Sequence, residues 1–166
     1  KKQNRFLMWD DLNVSEDAAK ITGFDKKDYL SKAEDPAVVF KEFMDLISQD
    51  DVIVVGQNIL GYDLYILGVI ARNLNVKINY SFAKRCFDTK AIATAIAKDN
   101  KNPDKEDFLA WQLRYLHYRE RGLRTNQKFL LQYYDIDFDE KKLHDALYDI
   151  EKNFEIFQKQ IWELEI

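Results

Sequence analysis

Cysteine, proline and glycine are all scarce in this chain of 166 residues: one, two and five respectively. A lone cysteine, Cys86, excludes an internal disulfide framework and any zinc site built from several thiolates, so a reducing compartment, the cytoplasm, is expected. So few glycines and prolines exclude collagen-like repetition and flexible linkers, and no internal repeat or low-complexity tract is present. Long apolar runs are missing too. No stretch approaches the roughly eighteen residues needed to cross a bilayer, and the opening Lys-Lys-Gln-Asn-Arg lacks the apolar centre of a secretory signal, so no membrane association is expected. The net charge of −4 argues against coating nucleic acid by bulk electrostatics. An initiating methionine is absent as well, and the expectation is a single domain over residues 1–166, incomplete at its N-terminus.

What is present is the composition of a globular protein, 46 % apolar and 33 % charged. Phe6 to Trp9 suggests a short strand, and Ser15 opens a short helix that Gly23 ends. Asp35 followed by Pro36 is a helix start, after which Val39, Phe40, Phe43, Met44 and Ile47 recur at three and four to give a core-facing helix. Val52–Val55 is a continuous β-branched run, the pattern of a strand buried on both faces in a parallel sheet covered by helices. Helices are expected at 63–73, 89–98, 108–121 and 125–134. The last, over about 145–164, carries its apolar stripe at Leu147, Ile150, Phe154, Phe157, Ile161 and Leu164. Strand and helix alternate as in an α/β fold, although only one strand signal is strong.

Three aspartates begin helices after extended or turn segments: Asp63, Asp88 and Asp149. Ligands gather at the carboxyl ends of parallel strands, and carboxylates sharing such a site need a hard cation, Mg²⁺ or Mn²⁺, of which a pair can clamp both oxygens of a phosphodiester. Helix phase separates the two acids of the last helix. At about 100° per residue, Asp149 lies roughly 100° from the centre of the apolar stripe and Asp145 roughly 140° away, so Asp149 suits a ligand and Asp145 a cap.

Taken in order, Val55-Gly-Gln-Asn-Ile-Leu-Gly-Tyr-Asp63, Phe87-Asp-Thr89 and His144-Asp-Ala-Leu-Tyr-Asp149 resemble the middle and late motifs of DnaQ-like 3′–5′ exonucleases of the DEDDh type. Ala18-Ala-Lys-Ile-Thr-Gly-Phe24 resembles the segment after the third strand of that family. The resemblance implies a ribonuclease-H-like mixed sheet flanked by helices, with its N-terminal strands missing or not recognisable here. It also implies two-metal hydrolysis at the 3′ end of single-stranded DNA or RNA, releasing nucleoside 5′-monophosphates, and a polymerase or other replication protein as a partner. By the same resemblance Asp63 and Asp149 are metal ligands and His144, five residues earlier, is the general base, a role suited to a side chain that ordinarily titrates near neutrality. Asn58 and Tyr62 belong to the middle motif, and Asp88 matches a helix-capping position.

The family's first motif, Asp-x-Glu on a central strand, has no counterpart before Ala18. Asp104-Lys-Glu106 lies in a polar loop and Glu163-Leu-Glu165 ends a helix, so neither fits. Upstream sequence carrying that motif is the favoured expectation, and a catalytically inactive module that binds nucleic acid or a partner protein is the alternative. A third reading is an unrelated α/β domain whose carboxylates only cap helices. Residues 111–128 hold Arg114, Arg119, Arg121, Arg124 and Lys128 against one acid, Glu120, a local balance of +4 against −8 elsewhere. Interleaved with Trp111, Tyr115 and Tyr118, these cations either contact nucleic-acid phosphates while the aromatics stack on bases, or form a solvated helix face whose aromatics point inward.

Overall fold

A computed structural model describes residues 1–101, 103 and 106–164. Its helices are α1 (Glu16–Thr22), α2 (Lys26–Lys32), α3 (Pro36–Ile47), α4 (Leu64–Asn73), α5 (Thr89–Ala97), α6 (Phe108–Leu116), α7 (Gln127–Tyr133) and α8 (Ala146–Gln160). The strands are β1 (Val54–Gly56) and β2 (Cys86–Asp88), which pair in parallel with Val55 opposite Phe87. The α/β class therefore holds, with a two-strand parallel sheet and flanking helices. Residues 6–8 form only a single bridge, Leu7 to Glu34, where a short strand was expected. Asp104 of Asp104-Lys-Glu106 and Glu165 of Glu163-Leu-Glu165 lie outside the described residues.

Most helix starts follow from their caps. Asp35, Asp107 and Asp145 accept backbone N–H groups of the first turns of α3, α6 and α8, each meeting donors that the helix cannot satisfy internally. The face of the sheet carrying Val54 and Cys86 packs on Ile47 and Met44 of α3 and on Leu64 and Leu67 of α4. On the opposite face, Phe87 meets Phe108 of α6 at 4.8 Å and Phe157 of α8 at 5.3 Å between ring centroids. Behind it Ile92, Ala95, Ile96, Trp111, Tyr115 and Leu164 form a closed core. Cys86 is fully buried, as expected of a small apolar side chain, and burial pushes its thiol up to about 11.

Two packing expectations need correction. Val52–Val55 is only half-buried at best, and Ile53 is 58 % exposed, because β1 has a neighbour on one edge alone among the described residues. In α8 the residues turned inward are Asn153, Ile156 and Gln160, while Ile150 and Phe154 of the expected stripe are exposed. The helix rests on the sheet by its flank, leaving much of its apolar stripe uncovered.

The outer edge of β2 is closed by a side chain. Gln112 of α6, fully buried, accepts the Asp88 N–H at 2.7 Å and donates to the Cys86 carbonyl at 2.9 Å, standing where a third strand would. Gln112→Leu keeps the volume but strands both backbone groups, and should lower the unfolding free energy by about 3 kcal/mol at unchanged denaturant slope. A urea titration showing a loss below about 1 kcal/mol would mean that this edge finds other partners.

Candidate functional site

The chain leaving β1 does not continue into a regular helix. Asn58 takes a left-handed conformation (φ 62°), and Ile59–Asp63 forms a single π-helical turn that runs into α4. Asp88 holds this turn against the start of α5. Its carboxylate accepts four backbone N–H groups: Asn58 at 3.0 Å, Leu60 at 3.0 Å, Lys90 at 3.0 Å and Ala91 at 3.2 Å. The capping role expected for Asp88 is thus observed, and it extends to the preceding loop. Lys90 Nζ donates to Asn58 Oδ1 at 3.0 Å, and a Cβ on Gly61 would stand 2.9 Å from that same oxygen, so a side chain there would displace the Asn58 amide.

Asp63 ends the π-helical turn, and its side chain makes no capping bond to α4. The carboxylate is therefore not spent on the helix. Its acidity is weakened: crowding by neighbouring atoms pushes the carboxyl above the usual carboxylate range, and the charge of Asp88 adds to this. Tyr62 beside it is 59 % exposed.

The late motif is built differently. His144 is left-handed (φ 79°), an unusual conformation for a residue with a side chain, and Asp145 then caps α8 by accepting the Tyr148 N–H. The His144 N–H donates to Asp149 Oδ1 at 3.3 Å, so one carboxylate oxygen pins the loop that presents the exposed imidazole. Gln127, at the start of α7, donates to the Asp149 carbonyl at 2.7 Å.

A buried polar chain connects the two halves. Gln57 donates to the Thr125 carbonyl at 2.7 Å, Thr89 Oγ1 lies 2.6 Å from Gln57 Oε1, and the same hydroxyl lies 2.6 Å from the side-chain amide of Asn153, one turn after Asp149. Gln160 Nε2 donates to the Thr89 carbonyl at 2.8 Å. These bonds tie α8 and the start of α7 to the carboxyl end of β1 and the start of α5. Gln57, Thr89, Gln112 and Asn153 do not titrate and follow no apolar period, so their importance could not be read from the sequence; a polar residue inside an otherwise apolar helix was the one signal available.

The basic segment divides. Arg114 pairs with Glu106 at 2.6 Å and Lys128 with Glu140 at 2.9 Å, while Arg119 donates to the carbonyls of Leu116 and Tyr118 at 2.9 Å and so closes the end of α6. Arg121 and Arg124 are exposed and have no ion-pair partner among the described residues. Trp111 and Tyr115 are 0 % and 9 % exposed. They are core residues and cannot stack on bases, which corrects that half of the expectation: α6 turns its aromatics inward because its apolar face covers α5.

Among the described residues no three His, Cys, Asp or Glu side chains stand close enough to hold a metal ion together. Asp63 and Asp149 present carboxylates, yet the described residues do not complete a centre for two divalent ions. No helix among them is long and apolar enough to cross a membrane. No family model matches the chain, and no curated protein matches it.

Proposed function

We propose that this chain belongs to a ribonuclease-H-like domain of the DnaQ type, a metal-dependent 3′–5′ exonuclease that removes nucleoside 5′-monophosphates from the 3′ end of single-stranded DNA or RNA. The observation that carries the reading is the backbone bond from His144 to Asp149: a left-handed loop held by a carboxylate of the next helix presents an exposed imidazole. Of the five non-glycine residues with positive φ among those described, His144 is the one that stands in the late motif. Supporting it, two parallel strands carry the middle motif and Phe87-Asp-Thr89 side by side, and Asp63 is left free of helix capping.

In this reading His144 takes the proton from the attacking water as general base, and Asp149 fixes the approach of the imidazole through the backbone. Asp63 and Asp149 are the carboxylates offered to Mg²⁺ or Mn²⁺. The further acids a two-ion centre requires are not among the described residues, so no step is assigned to the ions. Arg121 and Arg124, exposed and without an ion-pair partner among the described residues, are offered to the phosphate backbone of the strand. A polymerase or other replication protein is the partner such an activity would serve.

The test is release of 5′-mononucleotides from 3′-labelled single strands in Mg²⁺ by the natural full-length protein. His144→Ala and Asp149→Asn should each reduce the rate by about 10²–10⁴ fold while leaving the circular-dichroism spectrum unchanged. Undiminished cleavage in both would end the assignment.

The outward arginines favour one second reading, a non-catalytic module that binds nucleic acid. It would show the same salt-dependent binding in EDTA as in Mg²⁺ and no cleavage in either.

A further inference from the structure

The basic segment between α6 and α7 is tied down at three points. At its start Arg119 donates to the Leu116 and Tyr118 carbonyls, each at 2.9 Å, and Leu116 stands against the π-helical turn, 3.3 Å from where a Cβ on Gly61 would lie. In its middle Glu120 accepts from Lys98 Nζ at 2.8 Å and from the Tyr118 hydroxyl. The one acid of the segment is thereby balanced from α5, and Arg121 and Arg124 set the charge that faces water. At its end Gln57 Nε2 donates to the Thr125 carbonyl at 2.7 Å.

This last tie comes from the carboxyl end of β1. A backbone carbonyl only accepts, so the NH₂ of Gln57 faces Thr125 and its oxygen is turned to the Thr89 hydroxyl, 2.6 Å away. Thr89, fully buried, reaches the Asn153 side chain at 2.6 Å. Gln57 is therefore fixed from behind, and its amide decides where the backbone at Thr125 stands. The neighbouring bond from Gln127 to the Asp149 carbonyl lies beyond the Asn126 cap and holds α7 itself. What Gln57 holds is the chain ahead of α7, and the residue next to Thr125 is the exposed Arg124. A guanidinium meets a phosphate through directed hydrogen bonds, so the placement of its backbone matters as well as its charge.

We infer that Gln57 is a positioning residue: by holding the Thr125 carbonyl it sets Arg124 where the guanidinium meets a phosphate of a bound single strand, without touching the strand itself. This rests on Arg124 being a phosphate contact, in the nuclease reading and the non-catalytic reading alike. Bulk electrostatics assigns no such role to an uncharged side chain.

The experiment follows fluorescence anisotropy of a labelled oligothymidylate of about twelve nucleotides, titrated with the full chain in EDTA over a range of salt. Cleavage then plays no part. Arg124→Ala should weaken binding about fivefold at about 0.1 M salt and make the logarithmic salt dependence shallower by about 0.7, the measure of one phosphate contact on a single strand. Gln57→Met keeps volume and charge but cannot donate, and should do the same. The variant carrying both changes should bind no more weakly than Arg124→Ala alone, because the amide acts through the arginine. Gln57→Met and Arg121→Ala should instead multiply, since Arg121 follows the Glu120 tie. Thr89→Val, which loosens Gln57 from behind, gives a second route should Gln57→Met fail to fold, with a weakening of about twofold or more and the same dependence on Arg124.

Unchanged affinity in folded Gln57→Met or Thr89→Val, with the Arg124→Ala effect present, would overturn the inference and leave the phosphate contact standing. So would a product of the two effects, about twenty-five fold, in the variant carrying both Gln57→Met and Arg124→Ala. No binding by the unmodified chain, or no effect of Arg124→Ala, would remove the phosphate contact and the inference with it.

Discussion

Asp88→Ala should lower the unfolding free energy by about 4 kcal/mol, well beyond the roughly 1 kcal/mol of an ordinary helix cap. The excess comes from the Asn58 and Leu60 N–H groups, which belong to the loop after β1 and lose their acceptor together with the two donors of α5. Asp88→Asn should cost about 2 kcal/mol. The oxygen that serves Asn58, Lys90 and Ala91 can be kept, but an NH₂ then faces the Leu60 N–H. A measured loss of 1 kcal/mol or less for the alanine variant would reduce Asp88 to a cap.

The asparagine variant also carries a pH signature. Burial raises the Asp88 carboxyl above the ordinary range although four N–H donors pull it back. The folded state therefore retains a proton that the unfolded chain has already released, and stability falls as pH rises through the interval just above the usual aspartate range. Asp88→Asn removes this contribution, so its urea midpoint should vary less with pH there. Asp63, raised by crowding in the same direction, retains part of the slope. A steeper slope in the variant would reverse the sign of the argument. Because the turn that Asp88 anchors ends in Asp63, any cleavage activity should also weaken in a folded Asp88→Asn protein.

Trp111→Ala should be comparably costly, about 4 kcal/mol, since it removes a large ring from a closed site. Trp111 is fully buried, stacked on Phe108 and edge-on to Tyr115, with centroids 5.7 Å apart in each case, and its indole N–H reaches Asn100 Oδ1 at 3.4 Å. Fluorescence offers a direct check. Of the three tryptophans Trp162 is 87 % exposed and Trp9 half-buried, so the shortest-wavelength emission should fall with Trp111 while red-shifted emission persists. A loss below about 1.5 kcal/mol would mean that α6 is not anchored through this ring.

Much of the chain was readable locally. The caps at Asp35, Asp88 and Asp145 lie within three residues of the helix N–H groups they cap, so residue type and position suffice to find them as caps. The β-branched run at Val52–Val55, the apolar period of α3 and the Ala/Ile-rich composition of α5 likewise located elements, though α6 ended at Leu116, short of the expected 121. The helix α2 was missed because Lys26–Lys32 is charged and short, with Tyr29 its one buried residue. The ordered placement of Asp63, His144 and Asp149 was also legible. The backbone bond from His144 to Asp149 and the left-handed turn before α8 were not, because neither leaves a trace in composition or period.

Local chemistry, then, determined most helix starts, the strand at the β-branched run and the acids that stand at their ends, because those properties depend on neighbours a few residues away. Contacts between distant segments decided the rest: that Gln112 closes β2 from 24 and 26 residues along the chain, that α8 buries Asn153 and Gln160 in preference to Ile150 and Phe154, and that Trp111 and Tyr115 face inward. An apolar stripe states what a helix is able to bury. Which part of it is covered depends on what the rest of the chain places beside it, and among the described residues β1 is given a neighbouring strand on one edge alone.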